Sequence, residues 1–453
     1  MQLLKRNSET KDIMERPIAR NVIDEILAKM DISDISHATI RQCVAVANKL
    51  EELENMHFIH LEIGVPGILA CPVGIEAQKK ALDSNIAHEY PPIGGIPALK
   101  QNASKFLKAF ADVDIDSECI VPTVGSMQGS MNLILECSQL NPKKDTILYI
   151  NPGFAPNMLQ AKINNIKSEA FDIYEFRADK LRPKLEEYMS KGNIAAVLYS
   201  NPNNPAWICL SEEELRTIGE LATKYDVVVL EDLAYFCMDF RLDLSKPYQP
   251  PFQPTVAKYT DNYVIMMSSS KIFSYAGERI AAVCFSPKLY YREYPALRQK
   301  YGIGRMGDNF VLTYLYAASS GVSHSAQYAY AALLGGAADG KIDFISEMSK
   351  YGQRAHRSKE IFEKHGFHIV YDKDLDRKVG DGFFYTIGYR SLSCSELMYD
   401  LIRCGITAIS LDSTGSRQNG IRACVSRLSS EEDFEGLDRR LGLFEQIQKE
   451  KNS

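Results

Sequence analysis

Five near-continuous apolar runs in the middle of the chain restrict what it can fold into. They are TILYIN (146–151), AAVLYSN (195–201), VVVLED (227–232), YVIMMSS (263–269) and RIAAVCFS (279–286). Runs this uniform and rich in Val and Ile suit strands covered on both faces, not strands with one wet side. Amphipathic stretches separate them. Leu210-Ser211-Glu212-Glu213-Glu214-Leu215 opens one, with Ser211 as N-cap and Glu214 as the returning half of a capping box, and its helix runs to about Lys224. Strand, helix, strand in this order predicts an α/β domain with a mostly parallel sheet. Ligands of open α/β sheets bind beyond the carboxyl ends of the strands. The residues that close each run are therefore the candidates for chemistry.

The last quarter reads differently. Charged helices (SEMSKYGQRAHRSKEIFEKHG and SSEEDFEGLDRRLGLFEQIQKEK) flank short strands such as GFFYTIGY and GIRACVS. That pattern predicts a smaller α+β domain over 336–453, joined by the N-terminal segment 1–70, with the large α/β domain at 71–335. The chain has 453 residues, room for such a pair of domains.

Composition excludes several classes. A formal net charge of -6 argues against a nucleic-acid footprint. The start, MQLLKRNSETKDIMERP, lacks the apolar core of a secretory signal. No uncharged apolar run approaches the ~20 residues of a membrane span. Ten cysteines run from Cys43 to Cys424 with no CxxC pair, the usage of reduced thiols in a cytoplasmic protein. His57 with His60, and His365 with His368, lack carboxylate or thiol companions at ligand spacing, so no metal site is expected.

At the strand ends stand Asn201-Pro202-Asn203-Asn204-Pro205, then Glu231-Asp232-Leu233-Ala234-Tyr235, then Ser268-Ser269-Ser270-Lys271. Upstream, Val121-Pro122-Thr123-Val124-Gly125-Ser126-Met127-Gln128 leads into an apolar helix. Singly, these read as a turn, a solvated or capping acid, a surface lysine and a helix start. Together they match the needs of a phosphate-bearing pyridine aldehyde. Such a cofactor takes a lysine as Schiff-base partner and an acid facing the ring nitrogen. It takes donors for the ring oxygen, and hydroxyls, a helix N-terminus and an arginine for the phosphate. Lys271, Asp232, Tyr235 with Asn204, and Ser126 with Ser268 and Arg279 fill those places.

From about Gly64 to Arg422 the chain resembles the class I/II aminotransferases, which have the type I fold of pyridoxal-phosphate enzymes. The resemblance is carried by YPPIGGIPALK (90–100), GSMQ (125–128), PGF (152–154), NPNNP (201–205), EDLAY (231–235), SSSKIFSYAGER (268–279) and IRACVS (421–426). It implies a large domain with a mostly parallel, seven-stranded type of sheet, a small domain built from both termini, and pyridoxal 5'-phosphate as cofactor. It implies that Lys271 holds the cofactor and then moves the substrate α-proton, while Asp232 keeps the ring nitrogen protonated. Tyr235 and Asn204 would donate to the ring oxygen, and Phe154 would stack on the ring. Gly125, Ser126, Met127 and Gln128 would meet the phosphate together with Ser268 and Arg279. Arg422 would clamp the substrate α-carboxylate with a two-pronged fork that lysine cannot copy, and Asn204 and Gly64 would approach the substrate. Tyr90 would reach a partner subunit's phosphate, so a homodimer is implied.

The implied reaction moves an amino group from an L-amino acid to a 2-oxo acid. The same residues also suit β-elimination from a cysteine-like substrate, and motifs alone do not separate the two. A third reading, a cofactor-binding regulator, needs a separate DNA-binding domain; the ~60 residues before the core are too short and acidic for one. Two departures from the family bear on substrate. After NPNNP the family continues Thr-Gly, and this chain has Ala206-Trp207, its only tryptophan. Relatives acting on aspartate often carry a histidine three residues after the stacking aromatic, behind the cofactor aspartate, and here that residue is Asn157, which can hydrogen-bond Asp232 but not titrate. Arg298, Arg305 and Arg417 are candidates by type alone for a second substrate carboxylate.

Overall fold

The structure is a computed structural model that describes Met14 and residues 16–451. Most of the N-terminal stretch read above for its lack of an apolar leader falls outside those residues. The chain forms two compact units. The smaller comprises Met1–Val65, Gln353–Tyr371 and Phe383–Ser453; the larger comprises Pro66–Gly352 and Asp372–Gly382. The limits thus fall at Val65 and Gly352, where the sequence reading has 70 and 335. Asp372–Gly382 is a stretch that the sequence reading puts in the C-terminal domain and the fold groups with the larger unit. No helix among the described residues is long and apolar enough to cross a membrane.

The larger unit is built on a seven-stranded sheet. Its strands are β1 (Ile120–Val124), β2 (Thr146–Asn151), β3 (Lys167–Asp172), β4 (Ile194–Ser200), β5 (Val228–Asp232), β6 (Tyr263–Ser268) and β7 (Ile280–Phe285). In space the order is β1-β7-β6-β5-β4-β2-β3. All neighbours run parallel except β7, which is antiparallel to both β1 and β6. Every residue of β2, β4, β5, β6 and β7 is buried, as the apolar runs predicted. The capping box Ser211–Glu214 opens the helix Glu212–Tyr225 that follows β4.

This topology gathers the strand ends. Register pairs Val124 of β1 with Ile280 of β7, and Ser268 of β6 with Ala281 of β7. The exits of β1 and β6 therefore flank the entry of β7, and Gly125, Arg279 and the turn carrying Lys271 share one edge. Ser200 pairs with Asp232 and Asp232 with Met266, which brings the ends of β4 and β5 to that same edge. An aromatic cluster secures the lysine turn from beneath. Phe273 is buried at ring-centroid distances of 6.2 Å from Phe106 and 5.3 Å from Phe344.

The smaller unit holds a four-stranded antiparallel sheet in the order Ile409–Ser410, Ile421–Cys424, Phe384–Gly388, His368–Ile369. The N-terminal helix Arg20–Lys29 buries Ile23, Ile26 and Leu27, and the amide of Ile18 donates to the Arg403 carbonyl at 2.7 Å. From Ile18 on, the N-terminal segment is thus packed into the smaller unit.

Candidate active site

Helix Gly125–Cys137 starts directly off β1. Gly125 has φ +64°, a left-handed conformation that side chains disfavour. Its amide donates to the Arg279 carbonyl at 3.0 Å. A Cβ at this position would run into Nη2 of Arg279, so the bare glycine lets the guanidinium lie over the helix start. The Gln128 side chain folds back to accept from the Val124 amide at 2.8 Å and donates to Ser319 Oγ at 3.0 Å. That fixes the first turn and leaves the backbone amides of the turn as the groups that can meet an anion. Helix dipole, amides and guanidinium together make an anion cradle.

Gly125→Ala is expected to move Arg279 off the cradle. It also places an L side chain in the left-handed region, at a cost of roughly 1–2 kcal/mol. The pyridoxal phosphate that the resemblance implies is expected to bind about tenfold more weakly, the equivalent of ~1.4 kcal/mol, by equilibrium dialysis. Unchanged affinity would mean that the guanidinium does not serve this cradle.

Lys271 is half-buried on the short helix Ser269–Ile272. Buried Ser268 caps that helix by accepting from the Ser270 amide at 3.2 Å, and Ser269 Oγ donates to the Ile280 carbonyl at 2.7 Å. The lysine thus rises from a turn tied to both β6 and β7. Asp232 ends β5, buried, and accepts from the Ala234 amide at 3.0 Å. Burial raises its pKa to about 6 against the opposing pull of that amide. A carboxyl held this way gains from a cationic partner, because the partner offsets the desolvation that disfavours its charge.

Tyr235 and Asn204 are both buried, and the Asn204 amide donates to Ser200 Oγ at 3.0 Å. Asn203 spans from that turn to β2 and donates to the Pro152 carbonyl at 2.8 Å. Phe154 caps helix Ala155–Ile163 and lines a recess with Asn157, Tyr149 and Ser200. Asn157 is buried in that recess, and the hydrogen bond to Asp232 comes from Ala234, not from Asn157. Tyr90 is 87% exposed.

Two site candidates belong to the smaller unit. Arg422 is buried on its central sheet, with the guanidinium carbon 4.4 Å from the centre of the Phe384 ring and Nη2 donating to the Glu62 carbonyl. Gly64 lies close to the same Phe384 ring. Of the arginines considered for a second carboxylate, Arg298 pairs with Glu293 at 2.8 Å and Arg305 with the same acid at 3.8 Å, both on the surface. Among the described residues no group of three or more His, Cys, Asp or Glu is placed to hold a metal ion.

Residues 57–439 match the family described as aminotransferase class I and II. The chain belongs to that family. Among curated relatives of this aminotransferase-family chain, the aspartate aminotransferase of Pyrococcus horikoshii is 29% identical over 252 residues, 55% of this chain and 60% of that one. A probable N-acetyl-LL-diaminopimelate aminotransferase of Bacillus subtilis is 31% identical over 238 residues, 51% of this chain and 55% of that one. The chain thus spans a little over half the length of these relatives. Among solved structures, a Thermus thermophilus aspartate aminotransferase double mutant superposes with a TM-score of 0.71 at 16% identity, covering 90% of this chain and 96% of that one. A Thermotoga maritima aspartate aminotransferase gives a TM-score of 0.71 at 17% identity, covering 97% of this chain and 100% of that one. The fold is therefore the type I fold of pyridoxal-phosphate enzymes.

The edge of the family-fold sheet fits that family's phosphate-bearing pyridine aldehyde. The Gly125–Arg279 cradle suits the phosphate, Asp232 suits a protonated ring nitrogen, and Lys271 rises on the same edge as both. Sequence reasoning passed over Asp374. It is fully buried in the larger unit and held by Arg177 at 3.0 Å and Arg241 at 2.6 Å. Its local context, YDKDLDRK, is a polar hairpin with no periodicity to flag it.

Proposed function

We propose that this protein is a pyridoxal-phosphate-dependent aminotransferase that moves the amino group of an L-amino acid to a 2-oxo acid. The observation that carries the reading is one sheet edge bearing an anion cradle, a desolvated carboxyl and a half-buried lysine. Pyridoxal phosphate supplies an electron sink for the pair left behind when the substrate α-proton departs. The protein's own residues do the rest. Ser126, the amides of Met127 and Gln128, Ser268 and Arg279 bind the phosphate. Asp232 holds a proton at the ring nitrogen. Tyr235 and Asn204 would hold the ring oxygen as donors, and Phe154 would hold the ring. Lys271 would be the residue that holds the cofactor's aldehyde end, and its amine would carry the substrate α-proton, a task that needs a neutral amine. Arg422 takes the substrate α-carboxylate, and Gly64 gives the substrate backbone access.

The functional unit we propose is a homodimer in the cytoplasm, with Tyr90 reaching a second copy's phosphate. Its support is the exposed apolar surface of the larger unit. Leu69 and Tyr90 are 81% and 87% exposed, and Leu312 and Tyr316 are more than half exposed. Isolated apolar residues on a surface are ordinary, and large exposed ones such as these are the kind that an interface between copies would cover. The relatives named above carry transferase names with different amino acids in them, so the amino acid itself is left to experiment.

The test is a spectral titration of the loaded protein against a panel of amino acids. Transfer predicts loss of the cofactor's aldehyde-derived absorbance on adding a donor, and its return on adding a 2-oxo acid. Pyruvate and ammonia released from one cysteine-like substrate, with no need for an acceptor, would overturn it.

A further inference from the structure

Trp207 is the chain's only tryptophan, and it is fully buried. Its backbone is left-handed at φ +62°, where a bulky side chain is uncommon. The conformation is held from both sides: the Trp207 amide donates to the Asn203 carbonyl, and the Asn203 amide to the Ile208 carbonyl, each at 2.9 Å. Such a conformation persists only where its surroundings over-determine it. The indole stands edge-on to the Tyr235 ring, 5.3 Å between centroids at 65°. Gly382 also lies against the indole, so closely that a Cβ there would overlap the ring. The tryptophan thus touches both Tyr235 and the Asp372–Gly382 segment.

That segment is itself anchored. Asp374 accepts from Arg177 Nη1 at 3.0 Å, from Arg241 Nη2 at 2.6 Å and from the Cys209 amide at 3.3 Å. Arg177 also grips Glu214 at 2.6 and 2.8 Å, and Arg241 grips Asp239 at 2.7 and 2.8 Å. Arg241 Nη1 donates to the Lys378 carbonyl at 3.3 Å, further along the segment. The charged groups around the indole's support are therefore Asp374, Arg177, Arg241, Glu214 and Asp239. They satisfy one another, so the segment is a fixed backstop.

We propose that Trp207 is a positioning residue that transmits this backstop to Tyr235 and so sets where its hydroxyl sits. The inference rests on the reading of Tyr235 as the donor to the cofactor's ring oxygen. Trp207 touches Tyr235 and not solvent, so it acts through the tyrosine. A family glycine at this place has no side chain with which to do this.

The experiment titrates the visible absorbance of the pyridoxal-phosphate-loaded holoenzyme against pH, in wild type, Tyr235→Phe, Trp207→Gly, Trp207→Phe and the double variant. Loss of the tyrosine hydroxyl is expected to raise the titration midpoint by about one unit, tenfold in proton affinity. Trp207→Gly is expected to raise it in the same direction by part of that amount. It should add nothing once Tyr235 is Phe, because the two act on one contact. Trp207→Phe, which keeps an edge-on ring, is expected to restore most of the wild-type value. If Trp207→Gly does not fold, Gly382→Ala perturbs the indole and is expected to shift the midpoint the same way. A wild-type midpoint in both Trp207→Gly and Gly382→Ala overturns the inference, as does a shift fully additive with Tyr235→Phe. A midpoint unmoved by Tyr235→Phe overturns both the inference and the role assigned to that tyrosine.

Discussion

Replacing Lys271 with alanine is expected to lower amino transfer by roughly 10³-fold or more, since the proposed function gives this one side chain both the covalent and the proton-carrying role. The structure gives a reason to expect no relief from neighbours. Its neighbours Ser270 and Ile272 carry no amine, and the turn is tied down by Ser269 to β7. Lys271→Arg is expected to fare no better. A guanidinium keeps its charge at any working pH and cannot become the neutral amine the step needs. The measurement is transfer rate together with borohydride trapping. Wild-type protein should yield a pyridoxyl-lysine peptide containing Lys271, and neither variant should. Trapping at another lysine, or a variant within tenfold of wild type, would remove the amine from the mechanism.

Asp232→Asn is expected to cost about 10²-fold or more in rate, the size seen when a preorganised electrostatic contact to developing charge is lost. The amide keeps the shape and the Ala234 contact but no longer favours a protonated ring nitrogen. Asp232→Glu should retain part of the activity. A second readout needs no substrate. In cofactor-free protein burial raises the Asp232 pKa to about 6, whereas an unfolded aspartate titrates near ~4. Between those values the folded chain keeps a proton that the unfolded chain has released. The unfolded state then binds fewer protons, so stability falls as pH rises through that window.

Glu231 points to the opposite face of the sheet from Asp232. It takes bonds from Thr255, the Tyr199 hydroxyl and the Val256 amide, and burial raises its pKa to about 7. It extends the same fall upward. The contribution of these two acids therefore drops from about pH 4 to about pH 7, and it is read as the difference between wild-type and variant thermal melts of cofactor-free protein. Asp232→Asn should flatten the lower part of that slope and Glu231→Gln the upper. A slope left intact by Asp232→Asn would mean that its carboxyl is not held protonated by burial.

The legible parts of the fold were those whose physics is written along the chain. Central strands are dry on both faces, so TILYIN and YVIMMSS announced themselves. The two edge strands did not. Pro122 interrupts β1 and is tolerated there because an edge strand has amides with no ladder partner to lose. β3 reads KSEAFD, with its first residues exposed at the other edge. The reversal of β7 was equally silent, since composition carries no direction. For the site, the candidates Lys271, Asp232, Tyr235 and Arg279 were nameable because each stands at an end of a buried run or within a few residues of one. Trp207 was visible as a departure but its neighbours were not. Gly382 and Asp374 lie far away in the sequence, and contacts across such a span leave no local pattern.

The grouping of Asp372–Gly382 with Pro66–Gly352 has a consequence for how the polypeptide is made. A nascent chain that has emerged only through Gly352 already carries Arg177 and Arg241, while the acid they share is still inside the ribosome. Domains usually mature in order from the N-terminus during synthesis. Here vectorial maturation is blocked at both ends, because Met1–Val65 likewise belongs with Phe383–Ser453. Each unit is therefore complete only once residues beyond Gly352 have emerged.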